Sequence, residues 1–328
     1  MRSWADAIVA AGAVRASHVP EESLGRTELS EVAGAELVED TEVRIHPLDP
    51  GGVIAPPATA SFLDGIQRWK VTYYDGAVPI VRAYVASAVR RRTGDRRLRV
   101  VGETTREFHA AAVAALRPGV RAALEASGVD LVDVPQEALG QPGPALEAAR
   151  RAVENARVAL EKDLAERHLA SLGAEEWFVV DGVLSESARL AGHPRALGVI
   201  KSHGAQYFEG DALTRALTLP ALHRTSVFRP RGRAHHEVYS WYLRLWPWEG
   251  NDLLFGLLRV EARAHPATVT AASGVSGWLA RERAPVSTPD ARWDRLLYPI
   301  HDVETYLRAR APRDLLPSPA SRLPKAAS

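Results

Sequence analysis

The sequence predicts an α/β fold, a mixed sheet flanked by helices, on three observations. A strand-forming run with a hairpin signal inside it crosses residues 61–89, a long helical stretch covers residues 145–172, and a short apolar strand at residues 177–180 follows that helix directly. The chain has 328 residues, and 46% apolar with 25% charged residues is the composition of a globular protein able to bury a core. We expect one domain carrying an insertion.

Residues 1–45 read as an amphipathic helical segment, followed by a Pro/Gly-rich loop from Pro47 to Pro57. The period then changes. Ser61-Phe62-Leu63 leads into Asp64-Gly65, Trp69, Val71 and Tyr73 alternate with polar neighbours, and Asp75-Gly76 supplies the positive-φ chemistry of a tight hairpin. Val78, Ile80 and Val81 resume strand character, so three consecutive antiparallel strands are expected. The stretch at about 95–143 reads as an insertion: a short strand at Leu98-Arg99-Val100-Val101, a helix over residues 106–127, and a breaker cluster at Gly140-Gln141-Pro142-Gly143-Pro144.

The helix over 145–172 ends at Gly173, a C-cap residue, and the strand Trp177-Phe178-Val179-Val180 ends in Asp181-Gly182. Further strands are expected at 197–201, 238–245 and 253–260, with a helix at 211–219 between them. Pro299 precedes a last helix over 302–310, which puts His301 and Asp302 at its mouth, and the Pro/Ser-rich residues 312–328 read as a disordered tail. This element order over residues 46–311 is that of an RNase H-like domain with an insertion before its first core helix.

Composition narrows the chemistry. With no cysteine, disulfides, thiolate zinc sites and cysteine nucleophiles are excluded, so a metal site must use oxygen and imidazole ligands. No apolar run approaches the ~18 residues of a membrane span, and the first residues lack a signal-peptide pattern, so a cytoplasmic protein is expected. The net charge of +1 argues against coating nucleic acid by bulk charge but permits local basic patches. Two exist: Arg90-Arg91-Arg92 with Arg96, Arg97 and Arg99, and Arg224, Arg229, Arg231 and Arg233. A solvated face explains each equally well.

Hydrolysis of a phosphodiester by two divalent ions needs converging carboxylates, because ions ~3.5–4 Å apart repel unless anionic ligands sit between them. In an RNase H-like sheet the candidates are the first strand, the fourth strand and the helix before it. Asp64 and Asp181 occupy the two strand positions; the competing explanation is that each Asp-Gly is a turn, which suits Asp75-Gly76 better. Running back four strand residues from Asp181 covers about 13 Å, which the preceding helix climbs in about nine residues, pointing near residue 163. At ~100° per residue, Glu161 falls inside the apolar stripe of Val153, Leu160, Leu164, Ala165 and Leu172, together with Arg157 and His168, while Glu166 projects from the opposite side. A buried ion pair with Arg157 is the alternative for Glu161, and Glu154 is the reserve. His301 or Asp302 can close the set, although Asp302 also suits a helix N-cap. His235-His236, adjacent on an expected strand, would point to opposite faces and so not share an ion.

These residues resemble a known family. Phe62-Leu63-Asp64-Gly65, Trp177-Phe178-Val179-Val180-Asp181-Gly182-Val183-Leu184-Ser185, Leu197-Gly198-Val199-Ile200-Lys201-Ser202, and Tyr242-Leu243-Arg244-Leu245 followed by Leu258-Arg259-Val260-Glu261 are similar, in that order, to the pattern of the NurA nucleases. The resemblance spans about residues 60–310. It implies an RNase H-like fold, manganese- or magnesium-dependent cleavage of DNA as a 5′-to-3′ exonuclease and single-strand endonuclease, a homodimer, a HerA-type hexameric ATPase as partner, and a role in DNA end processing. It matches Asp64 and Asp181 to the family's metal aspartates and Glu161 to its helical glutamate. Tyr298-Pro299 resembles the element before the last metal residue, here His301 or Asp302. Two departures stand out: Ile66 follows Asp64-Gly65 where the family has serine, and the interval after Tyr298-Pro299 is short.

The expected centre therefore has Asp64 bridging both ions, with Glu161, Asp181 and His301 or Asp302 completing the shells, and with Lys201, Arg229, Arg231 and Arg233 contacting nucleic acid. The rivals are a non-catalytic nucleic-acid or ATPase-binding module on the same scaffold, and a two-carboxylate glycosidase, which would need no metal. A Ser–His–Asp hydrolase is disfavoured because no Gly-x-Ser-x-Gly motif occurs.

Overall fold

The computed structural model describes residues 30–48, 57–135, 142–232, 235–285 and 293–315. The strands are β1 (Ser30–Val32), β2 (Ala35–Leu37), β3 (Ile45–Pro47), β4 (Ala60–Asp75), β5 (Val78–Arg92), β6 (Leu98–Ala111) and β7 (Leu131–Asp133). They continue with β8 (Trp177–Asp181), β9 (Ala196–Ile200), β10 (Ala205–Gln206), β11 (His223–Thr225), β12 (Phe228–Pro230), β13 (Val238–Arg244) and β14 (Leu257–Arg263). The helices are α1 (Pro118–Ala126), α2 (Pro142–Leu169), α3 (Ala188–Gly192), α4 (Gly210–Leu217), α5 (Pro266–Arg281) and α6 (Tyr298–Arg310).

The fold is mixed α/β, with a twelve-stranded mixed sheet flanked by helices and a separate parallel pair, β1 with β10. This is compatible with an RNase H-like arrangement. The chain divides into two compact units: Met1–Phe62, Arg91–Leu98 and Leu169–His301 make the first, and Leu63–Arg90, Arg99–His168 and Asp302–Ser328 the second.

In the first unit β8 and β9 run parallel, β9 pairs antiparallel with β14, and β14 with β13. Two short strands, β11 and β12, both pair with β13, and each holds one N-terminal strand, β3 and β2 respectively. The five consecutive buried positions of β13 and six of β14 reflect packing on both faces. The buried Trp241 indole donates to Ser276 Oγ at 2.8 Å, fixing β13 against α5. Arg244, wholly buried, donates to the carbonyls of Leu217, Leu219, Leu253 and Phe255, capping the end of α4 and the loop before β14. That loop is Trp-rich: Trp293 stands edge-on to both Trp246 and Phe255, and Arg283 lies 3.9 Å over the Trp246 ring.

In the second unit β4, β5 and β6 are successive neighbours, so residues 61–89 hold two strands rather than the three expected, with a tight turn at Gly76 (φ 60°). The core joins Val81, Ala83, Val85 and Phe108 to Ala145, Ala148, Ala149 and Val153 on one face of α2. Asp75 is not only a turn residue. It accepts from Arg117 N at 2.7 Å and pairs with the Arg117 guanidinium, so it also fixes the start of α1.

Several expectations need correction. Residues 30–45, expected as helix, carry β1, β2 and the start of β3; three-residue strands give too little periodicity to register. Asp64-Gly65 is not a break between strands, because β4 runs unbroken through it. The insertion holds a 14-residue strand, β6, where a short strand and the start of a helix were expected; Thr104, Thr105 and the aromatic Phe108 favour the strand. Helix α5 goes unforeseen because its small residues and two glycines mute the helical signal. Helix α6 begins at Tyr298, so His301 and Asp302 lie inside its first turns rather than at its mouth. His235 and His236 lie in a bend, not a strand. The tail expected from residue 312 lies, past Leu315, outside the described residues, as do most of the expected loop after Pro47 and Arg233.

Candidate functional site

In the second unit Asp64 and Glu161 come together. Asp64 lies in the buried part of β4, with its Oδ1 accepting from Gly65 N at 2.7 Å and its carbonyl accepting from the buried Ser87 Oγ at 3.1 Å. Across from it, α2 turns Glu161 inward with 12% of its side chain exposed, and the Glu161 carboxylate lies flat against Gly65, in the volume a Cβ there would fill. Glycine at 65 is therefore required by approach rather than by a turn. Arg157, one helical turn before Glu161, pairs with it and reaches Gln67 Oε1 at 3.3 Å. Burial works against the Arg157 charge, but the facing Glu161, then Asp64 and Glu154, more than offsets it and raises its pKa. The ion pair with Arg157 is thus present, and so is the juxtaposition with the Asp64 segment.

Asp302, in this unit, pairs with Arg90, while Tyr306 on the same helix donates to Glu103 Oε2 at 2.7 Å. Glu154 is exposed and Glu166 half-buried.

The first unit holds Asp181, His301 and Lys201. Asp181 ends β8, and Lys201 Nζ, just past the parallel strand β9, sits 2.8 Å from its Oδ2 with only 9% of the lysine exposed. Behind Asp181 the backbone turns at Gly182 (φ 139°) and folds over Gly198, where a Cβ would stand 2.6 Å from the Gly182 carbonyl. The loop is held at three points: Gly182 N donates to Val199 O at 3.0 Å, His236 N to Ser185 O at 3.0 Å, and Leu184 N to Glu261 Oε2 at 2.8 Å. Each sequence block singled out around Asp181 thereby contributes one part of a single construction.

Of the arginines expected to meet nucleic acid, Arg229 and Arg231 are compensated, and Arg233 lies outside the described residues. Arg231 donates to Glu36 at 2.9 Å, and Arg229 lies 3.7 Å from Glu36 and 3.3 Å from Glu237. Arg224 is buried and forms a two-pronged pair with Glu39, 2.7 Å on each prong. No protein-family model matches the chain. No curated protein matches it either. Each unit sets carboxylate beside cation: Asp64 on β4 and Glu161 on α2 with Arg157 in one, and Asp181 at the end of β8 with Lys201 in the other.

A third group was not foreseen, because its segment read as helix. Glu39, Asp40 and His46 offer three potential ligand atoms within 4.8 Å of one another. Their bonds point to a structural role. Glu39 takes Arg224 and Val227 N, while Asp40 takes Ser226 Oγ and His46 Nε2 at 2.7 and 2.8 Å. Burial would raise both carboxyl pKa values, but these hydrogen bonds outweigh it and lower them. The adjacent acids Glu39-Asp40 were the one visible signal.

No described helix is long and apolar enough to cross a membrane.

Proposed function

We propose that this chain is a divalent-metal-dependent nuclease related to NurA, hydrolysing DNA phosphodiesters, with Asp64, Glu161 and Asp181 as its metal-binding carboxylates. The observation that carries the reading is the seating of Glu161 against Gly65 beside Asp64. A carboxylate projecting inward from a helix onto an aspartate strand is costly unless it has work to do there. The donor set fits manganese or magnesium, since hard cations take carboxylate oxygens. Bound there, the metal would supply water activation and neutralise charge developing at the phosphate. Asp64, Glu161 and Asp181 would hold it, while Arg157 and Lys201 orient the Glu161 and Asp181 carboxylates they pair with. His301 or Asp302, the latter paired with Arg90, would complete the set. Lys201, now 2.8 Å from Asp181, would also contact a phosphate oxygen. A HerA-type ATPase, a second copy of the chain and a role in end processing belong to the same proposal.

One observation favours the non-catalytic alternative: Glu161 and Asp181 each already have a cation partner. Two measurements separate the readings. Single-stranded DNA labelled at either end, incubated with manganese, should be cut by wild type and left intact by Asp64→Ala and Asp181→Ala. Manganese at a hundredfold excess over Kd should stabilise wild type by about 2.7 kcal/mol, and Asp181→Asn by much less. Equal thermal shifts in both proteins, with equal cleavage by wild type and Asp64→Ala, would sink the nuclease reading.

A further inference from the structure

The Arg259–Glu261 pair on β14 belongs to no part of the site as proposed, yet it is almost wholly buried, at 6% and 2% exposure. Glu261 lies in register with Gly198 of β9, and Gly198 lies in register with Val180, the residue before Asp181. The three strands thus set Glu261 one strand beyond the place where the loop after Asp181 folds back. Because Gly198 has no side chain, that loop can cross β9 and bring Leu184 N within 2.8 Å of Glu261 Oε2; a Cβ on Gly198 would stand 2.6 Å from the Gly182 carbonyl and 3.3 Å from Leu184 N.

The other carboxylate oxygen is held in turn. Arg259 Nη1 donates to Glu261 Oε1 at 2.6 Å and reaches Ser240 Oγ at 3.3 Å, while its guanidinium lies 5.0 Å over the Tyr207 ring. A buried carboxylate that spends one oxygen on a fixed arginine and the other on a single loop amide has its position set from behind and transmits it forward.

We infer that Glu261, held by Arg259, is a positioning residue for Asp181: it clamps the Gly182–Ser185 turn through the Leu184 amide and so fixes where the Asp181 carboxylate points. This deepens the nuclease proposal and rests on it for its consequence in catalysis, but not for the clamp itself. Asp181 begins the turn, so loosening the turn lets its side chain scatter over several rotamers in place of one. Loss of aim at a metal carboxylate raises the metal concentration needed for activity, whereas affinity for the DNA chain is left alone.

The test uses the full chain and three variants. Glu261→Ala removes the acceptor. Glu261→Gln keeps an oxygen for the Leu184 amide. Phe108→Leu, a core truncation in the other unit, controls for lost stability. In Glu261→Ala the amides of residues 182–185 should exchange with deuterium at least tenfold faster, and the manganese concentration for half-maximal cleavage should rise at least fivefold, with KM for DNA within twofold of wild type. Glu261→Gln should stay within threefold of wild type in both readouts, and Phe108→Leu should move neither. If wild type does not cleave DNA with manganese, the nuclease reading falls and the exchange measurement still decides the clamp. Unchanged exchange at residues 182–185 in Glu261→Ala overturns the inference, as does a manganese midpoint that moves equally in Phe108→Leu.

Discussion

Replacing Gly65 by alanine probes whether Glu161 is held where it is or merely rests there. An ideal Cβ at residue 65 would stand 2.7 Å from Glu161 Cδ and 2.8 Å from Cγ, whereas carbon pairs settle at about 3.5–4.0 Å. Glu161 must therefore retreat by about 1 Å, and it is tied to Arg157 on its own helix. Overpacking of this size costs about 1–3 kcal/mol, which lowers the melting temperature by a few to about ten degrees in a protein of this size. The informative measurement is a double-mutant cycle by urea denaturation at neutral pH. Gly65→Ala should cost about 1–3 kcal/mol in wild type and less than about 0.5 kcal/mol on a Glu161→Ala background, because the obstacle is gone. Equal costs in the two backgrounds would mean that the carboxylate moves aside freely, and the argument that Gly65 and Glu161 form one construction would be lost. Cleavage by Gly65→Ala should fall at an assay temperature where the variant is still folded.

Other outcomes follow from groups already described. His203 is buried, and burial first, with Arg295, Arg259 and Arg244 adding to it against a hydrogen bond to Leu257, pushes its pKa down from 6.5 to about 4. The unfolded chain then binds the proton more readily, so this residue's contribution is complete above about pH 6.5 and is lost as pH falls towards 4, a loss of about 3 kcal/mol that urea titrations of wild type and His203→Gln at pH 7 and 4.5 should resolve as a flatter acid slope in the variant. Arg244→Met should cost about 3–5 kcal/mol by denaturant unfolding, since four buried carbonyls lose a charged donor at once; a loss under about 1 kcal/mol would show that water replaces the guanidinium.

The α/β class, the strand character of residues 61–89 with its hairpin at Asp75-Gly76, helix α2 and the β8 and β9 strands were legible because their periodicity extends over enough residues to be read. Glu161 was legible for the same reason: helical phase is rigid over 28 residues, so a residue's face can be counted. What could not be read depends on long-range pairing. Strands of three residues such as β2, β3, β11 and β12 exist because partners elsewhere in the chain hold them, and no local pattern announces that. Gly65 looked like a turn residue in sequence, since Asp-Gly is a turn signal, and only the approach of α2 shows its true function. The split into two units was equally hidden, because each unit is assembled from three separate stretches of chain.

The strands that flank the first unit's sheet have a character of their own. Residues 38–46 are joined to β11 and β12 by carboxylates, a serine, an arginine and a histidine, beside the apolar anchor of the buried Val43. Such a seam answers to solvent conditions that leave a hydrocarbon core indifferent. Acid neutralises Glu39 and Asp40 only below the usual carboxylate range, because both are held low, and concentrated salt competes with every bond at once. The ionic share of that seam makes the N-terminal border responsive to salt and acid, a place where a denaturant or a rearranging partner would find purchase on the chain.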